Sequence, residues 1–286
     1  MTSRHAEGGV VLVNVLVVLA IAGGLLVLLI ANQDAAVDRV SRSADASIAE
    51  QIALGAEASV IDALRRDMDE APDVDHLNEP WAQRVVQEAV ELPTGTFSVS
   101  VADLQAKYDI NQLAVLTAGS QDFARRLMIA LDQPADLADQ IGRILRAIGG
   151  VKQLDDLAAF GIPQAALDAM APYVTALPIE GTINLNTVTP SLLAVMLQND
   201  AHAQQIVRIR EGQGEVTIAA LRDAGILRPQ NSGFTSDVYA VTVLAEAGRA
   251  KSALQTVLVR RDDLGRKSVD VLERRYLYDT PKPHSE

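Results

Sequence analysis

The sequence has no cysteine in 286 residues, which excludes disulfides, thiol nucleophiles, iron–sulfur clusters and zinc sites built on thiolates. The compartment stays open, since a chain without thiols folds in either redox setting. Basic residues are also in short supply: 25 Lys and Arg stand against 37 Asp and Glu, a formal net charge of −12. That excess argues against a protein that holds nucleic acid by neutralising phosphates. Catalytic patterns are missing as well. The four histidines, His5, His76, His202 and His284, are scattered without metal-ligand spacing, and there is no Gly-x-Ser-x-Gly elbow or phosphate loop. Folding itself is not in question, because the apolar fraction of 49% and the charged fraction of 22% are ordinary for a globular chain of a length that buries a core. The reading is a folded, acidic protein that is not an enzyme.

What is present begins with Val10–Ala31, a run of 22 residues whose one strongly polar member is Asn14. As a helix it spans roughly 33 Å, enough to cross a bilayer core. Sixteen of its residues are Leu, Ile or Val, and at about −0.3 to −0.6 kcal/mol each they favour insertion by roughly 5–10 kcal/mol. One uncharged amide does not reverse that sum. A cleaved secretory signal has a shorter apolar core and ends at a small-x-small site, which Ala31-Asn32-Gln33 does not supply.

The polar leader before this run, Met1 to Glu7, ends in Gly8-Gly9. Glycine set directly against a long apolar helix resembles a type IV prepilin signal, in which the peptidase cuts on the cytoplasmic side and leaves the helix on the mature protein. The resemblance places the cut between Gly9 and Val10, the N-terminus in the cytoplasm and the globular part in the periplasm. Asn14 then stands fifth in the mature chain, where most pilins carry glutamate. A glutamate there can pair with the N-terminal ammonium of a neighbouring subunit inside lipid, and a neutral amide cannot. Such a subunit suits the filament tip, where no earlier subunit needs neutralising.

Apolar positions Val37, Val40, Ala44, Ile48, Ile52, Ala56, Val60 and Leu64 recur every three or four residues, so the helix is expected to continue as one amphipathic rod to about Met68. Between Asp67 and Asp75, Pro72 and five carboxylates break the pattern. The segment lacks EF-hand spacing and reads as a solvated acidic turn. Pro80 opens a short helix expected to reach Leu92. Phe97, Val99 and Val101 alternate with serines as a half-buried strand. From about Leu113 to Leu227 the period is helical, with Ser120 expected to cap Gln121–Leu131, Pro134 opening a helix to Gly149-Gly150, and Thr189 capping the helix that starts at Pro190. Strand periodicity returns in Val238–Ala245, Ala253–Arg261 and Ser268–Leu277.

A helical region set inside a small antiparallel sheet that packs on the rod explains this order, and the fold class is α+β. The expected division is a leader at 1–9, membrane helix at 10–31, its periplasmic continuation at 32–68, pilin-like regions at 69–111 and 229–279, an inserted all-helical domain at 112–228, and a tail at 280–286.

Four stretches in order carry a family resemblance: Gly9 with Val10-Val11-Leu12-Val13-Asn14, then Leu77-Asn78-Glu79-Pro80-Trp81-Ala82, then Val101 to Leu113, then Ile183-Asn184-Leu185-Asn186-Thr187. Together they resemble the minor pseudopilin K (GspK) family of type II secretion. Asp109, where the family has asparagine, and Val10, where most pilins have phenylalanine or methionine, depart from the pattern. The resemblance implies a type IV pilin-like fold and a structural subunit at the tip of a periplasmic pseudopilus. Its partners would be the other minor pseudopilins of the I, J and H types, the major pseudopilin, the prepilin peptidase, the inner-membrane assembly platform and inner-membrane lipid. Some family members bind calcium, but no ligand set matches here residue by residue, and Asp262-Asp263 reads equally as surface charge.

Two other readings compete. Asn184 to Thr187, the Pro190 helix and Ile206 to Arg210 resemble a membrane-anchored helix-hairpin-helix (SAM-like) module of DNA uptake. Yet Asn199-Asp200-Ala201-His202 has no glycine for gripping phosphate, and residues 182–228 hold four basic and four acidic groups. The expectation is therefore no nucleic acid, with Asn184 and Asn186 satisfying turn backbone groups. The other reading is a tip minor pilin of another pilus-like system.

Overall fold

The computed structural model describes residues 6–83, 90–115 and 117–277. The first five residues of the expected leader, residues 84–89 of the expected Pro80 helix, and residues 278–286, which include the expected tail, lie outside these. Helix α1, Ala6–Glu70, is unbroken over 65 residues, about 98 Å at the usual rise. The large apolar side chains between Leu12 and Ile30 are exposed, while Ala49, Ala53, Ala56, Val60 and Leu64 form a buried seam farther along. Val37, Val40 and Ala44, expected in the same seam, are exposed. At 100° per residue they fall on the opposite side of the helix from Ala53 and Val60.

A short helix α2, Pro80–Gln83, precedes strand β1, Val90–Leu92. The expected continuation of that helix to Leu92 is thus corrected. Val90–Leu92 pairs antiparallel with β2, Gly95–Asp103, across the Pro93-Thr94 turn, where proline presets the turn backbone. In β2 the inward phase is Val99, flanked by Phe97 and Val101.

A 3-10 turn then leads to β3, Tyr108–Asp109, and a second one to the helices. Helix α3, Ala118–Ala130, begins earlier than expected because Thr117, not Ser120, is its cap and accepts from the Ser120 amide. Helix α4, Asp136–Ile148, ends at Gly149 in the left-handed conformation, the usual stop for a helix. After a 3-10 stretch at Leu154–Phe160 come α5, Gln164–Met170, and β4, Val174–Thr175, which pairs parallel with β3. Strand β5, Ile183–Asn184, helices α6, Pro190–Leu197, α7, Asp200–Gln213, and α8, Ile218–Asp223, and strand β6, Ser232–Gly233, complete the region, with β5 and β6 again parallel. The two parallel pairs are too short to show a period, and tertiary packing alone reveals them. The helices bury one core, including Leu127, Met128, Ile141, Leu145, Leu167, Leu193 and Ile206.

Strands β7, Val238–Ala247, β8, Ala250–Asp263, and β9, Arg266–Tyr276, return the chain to the sheet, whose order is β1-β2-β7-β8-β9, all antiparallel. Its inner face covers the α1 seam with Val99, Tyr239, Val241, Val243, Leu254 and Leu258. Small alanines at 49, 53 and 56 are what let backbone come close to backbone there. At the end of the sheet nearer the membrane segment, the two-residue turn Gly248-Arg249 is latched to the helix. The Arg249 guanidinium pairs with Asp38, and its amide donates to Asp45 at 3.2 Å. Gly248 sits at φ +53° with the Asp45 carboxylate where a Cβ would be, so no other residue fits without displacement. The α+β order expected from the sequence, long helix, strand, helical region and three strands, is the order observed.

Candidate functional site

Of the residues singled out at the N-terminus, Gly9 and Val10 lie in the second turn of α1, and Asn14 is exposed among exposed Leu, Val and Ile side chains. All three share one helix end, and α1 is the one stretch among the described residues long and apolar enough to cross a membrane. This geometry fits single-pass anchoring in the inner membrane with the globular part in the periplasm.

The second site is polar and buried, at the far end of α1, where the rod, the sheet and the helical region meet. Arg260 of β8 is in phase with Leu254, Thr256 and Leu258, so its side chain enters the rod-facing side with them. There its two terminal nitrogens pair with Asp67 at the end of α1 and with Asp75 in the following loop. It also donates to the Leu64 carbonyl at 3.3 Å and to the Tyr239 hydroxyl at 3.0 Å, and lies 5.0 Å from the centre of the Tyr239 ring. The segment expected to be a solvated acidic turn is therefore corrected at both ends: Asp67 and Asp75 are 8% and 2% exposed, because a buried guanidinium takes them out of water.

The network continues into the helical region. The Ser236 amide donates to Asp75 at 2.7 Å and its hydroxyl to Asp103 at 2.6 Å. Thr187 also donates to Asp103, and Asn184 donates to the Asp75 carbonyl at 3.0 Å and to the Ser236 hydroxyl at 2.8 Å. Asn184 accepts from the Asn186 amide, and Asn186 bonds both the amide and the carbonyl of Val216. These asparagines do satisfy turn backbone groups, as the sequence suggests, and Asn184 also ties the helical region to the rod's loop. Asp109 accepts from the Asn111 amide in its own turn and also from the distant Leu177 amide at 3.0 Å, so it ties two parts of the helical region together.

Burial dominates the electrostatics. It pushes Asp103 up to about 6 against its hydrogen bonds from Ser236 and Thr187, and pushes Asp67 up to about 6 against the attraction of Arg260. Glu79 rises for the same reason, although it accepts from the His76 amide at 2.9 Å and from the Trp81 indole at 2.6 Å. Burial pulls Arg260 down, but the surrounding tyrosine and carboxylates outweigh it and the guanidinium stays charged. Asp67, Asp75 and Glu79 bring oxygens within 4.8 Å of one another. They do not fit calcium, which takes 6–8 oxygens, because Arg260 already neutralises two of the three.

The arrangement ties three parts of the fold together. It is a three-way joint, and a second ion pair, with its carboxylate buried and its guanidinium half-exposed, ties β9 to α1 nearer the membrane segment. Glu57, 2% exposed, accepts from Thr256 and, through both oxygens, from Arg274 of β9. The sequence signal that would have found the joint is an arginine at an apolar-phase position of a strand, opposite a carboxylate-rich loop.

An apolar N-terminal helix that also serves as the spine of an antiparallel sheet defines the type IV pilin class of fold, here enlarged by a helical region between β2 and β7. No protein-family model matches the chain. It is 25% identical to the type II secretion system protein K of Pseudomonas aeruginosa, over 74% of each chain. With the protein of the same name from Klebsiella pneumoniae it shares 23% identity over 96% of this chain and 97% of that one. Among solved structures, the GspK-GspI-GspJ complex of enterotoxigenic Escherichia coli contains a similar fold. The TM-score is 0.64 at 18% identity, covering 84% of this chain and all of the other. The chain is homologous, at the level of the family, to the GspK-type pseudopilins of type II secretion.

Proposed function

We propose that the protein is the minor pseudopilin that caps the tip of a periplasmic pseudopilus in type II secretion, where it initiates assembly and supports export across the outer membrane. In this reading the prepilin peptidase cuts between Gly9 and Val10, and the apolar helix holds the subunit in inner-membrane lipid until the assembly platform extracts it. The observation that carries the tip position is Asn14: the helix offers no carboxylate to a neighbour's buried ammonium. The bulk of the helical region, 112–228, is a second support, since nothing could stack above it. The joint around Arg260 holds that bulk in one orientation on the rod.

The similar fold solved in complex with GspI and GspJ supports the I- and J-type minor pseudopilins as partners of this chain. The H-type and the major pseudopilin follow from the same family reading. The test is the intact mass and N-terminal peptide of the protein recovered from native membranes, expected to begin at N-methylated Val10. A chain starting at Met1, or cut beyond Ala31, would remove the pseudopilin reading. Position is tested separately by Asn14→Glu: the variant should fold normally and lose its exclusive tip crosslinks. If it still crosslinks only at the tip, the charge argument for placement is wrong.

A further inference from the structure

Glu79, in the loop between α1 and α2, is 5% exposed. Its Oε2 accepts from the His76 amide and from the Trp81 indole. Its other oxygen, Oε1, is closed to water and has no hydrogen-bond partner. The charges around it do not balance. A Glu79 oxygen stands within 4.8 Å of oxygens of Asp67, from α1, and of Asp75, from the same loop. Arg260 of β8 is the one cation that, among the described residues, pairs with this group, and its two terminal nitrogens go to Asp67 and Asp75. Tyr239 of β7, edge-on to Trp81, accepts from Arg260 and stays neutral, its hydroxyl raised by burial. The His76 imidazole lies 3.7 Å from Glu215. Three carboxylates thus face one guanidinium, and Glu79 is left without a cation. Ionised, it would be an unpaired charge out of water, which is costly. A water or a metal ion could reach Oε1 only by displacing its neighbours, whereas a proton needs no room. Burial pushes the Glu79 carboxyl up against its two hydrogen bonds, and the Asp75 charge pushes it the same way.

We infer that Glu79 holds a proton on Oε1 while the joint is closed, and that the joint is a pH-sensitive clasp between the rod and the helical region. Loss of the proton drives the Glu79 side chain toward water and loosens its loop. The same loop carries Asp75, which accepts from the Ser236 amide at 2.7 Å and, through its carbonyl, from Asn184 at 3.0 Å, so a loosened loop slackens the hold on the helical region. The sign follows from linkage. A carboxyl raised in the folded state contributes stability that is complete below its unfolded value and is lost as the pH rises through the raised range. The clasp uses the joint alone and is independent of the pseudopilus reading.

The experiment compares the detergent-solubilised full chain with its Glu79→Gln variant, which keeps an acceptor for the His76 amide and the Trp81 indole and fixes the neutral form. Infrared spectra follow the protonated-carboxyl stretch, identified by its shift in heavy water, from pH 4 to pH 8. One component of that band should titrate away in the wild type and be missing from Glu79→Gln. Asp103→Asn removes a different raised carboxyl and should leave that component in place. In urea unfolding the two proteins should be equally stable at pH 4. At pH 8 the variant should be favoured by about tenfold in the unfolding equilibrium constant. Protection of the Ser236 amide against hydrogen exchange should fall about tenfold further in the wild type than in the variant over the same range. An unchanged infrared band in Glu79→Gln, a variant no more stable than the wild type at pH 8, or equal protection of the Ser236 amide in the two proteins there would each overturn the inference.

Discussion

Replacing Arg260 by methionine keeps most of the stem volume in β8 and removes the one cation that, among the described residues, pairs with Asp67 and Asp75. Both carboxylates are buried, so the variant leaves two uncompensated charges in a site closed to water. Breaking a buried pair in this way costs about 3–5 kcal/mol, a large part of the roughly 5–15 kcal/mol that holds a domain folded. The pH dependence follows from the sign of the shift. Without the guanidinium, the Asp67 carboxyl, already raised by burial, rises further above its unfolded value. The folded variant then takes up protons more readily than the unfolded chain, and its deficit shrinks as the pH falls through that raised range. Urea unfolding of the detergent-solubilised chain reports this through Trp81, the one tryptophan, whose ring stands edge-on to Tyr239 at 5.1 Å. The loss should be about 4 kcal/mol at pH 7.5 and clearly smaller at pH 5. Adding Asp67→Asn and Asp75→Asn to Arg260→Met should recover about half of it at neutral pH. A loss below about 1 kcal/mol at pH 7.5, an equal loss at pH 5, or no recovery in the triple variant would refute the reasoning.

Asp103, raised to about 6 by burial, makes the native protein lose stability as pH rises from about 4 to about 6, by up to about 3 kcal/mol. Asp103→Asn should flatten that part of the profile in denaturant titrations across the range. Glu57→Gln should cost about 1–2 kcal/mol at neutral pH, measured by the same unfolding, because Arg274 loses a charged partner while Thr256 keeps an acceptor. Gly248→Ala should cost about 1–2 kcal/mol and speed hydrogen exchange at the Arg249 amide, which its bond to Asp45 now protects.

The order of elements was legible because long segments carry clear periods. The 65-residue helix, the serine-alternating β2 and the three returning strands each repeat often enough to be read. Pro190 with Thr189 before it marked the cap and the start of α6. Val90–Leu92 was not legible, since three residues show no period and Pro80 upstream suggested a helix running through them. Nor was the direction of the α1 seam: Val37, Val40 and Ala44 share a spacing with the buried residues but point to the other side. The joint was the least visible part. Asp67, Asp75, Asp103, Ser236 and Arg260 are scattered over nearly two hundred positions, and ordinary surface residues have the same letters. Only the closure of the sheet onto the rod brings them together.

The latch between Arg249 and Asp38 has a mechanical consequence. Asp38 follows Ile30 by eight residues, roughly 12 Å along the axis, and from Leu25 to Asp38 the helix contains neither glycine nor proline. There is no swivel between the apolar segment and the head. Any turn of that segment about its own axis becomes an equal turn of the whole periplasmic part, and any upward pull moves both together. The continuous helix therefore couples the orientation of the apolar segment to that of the head.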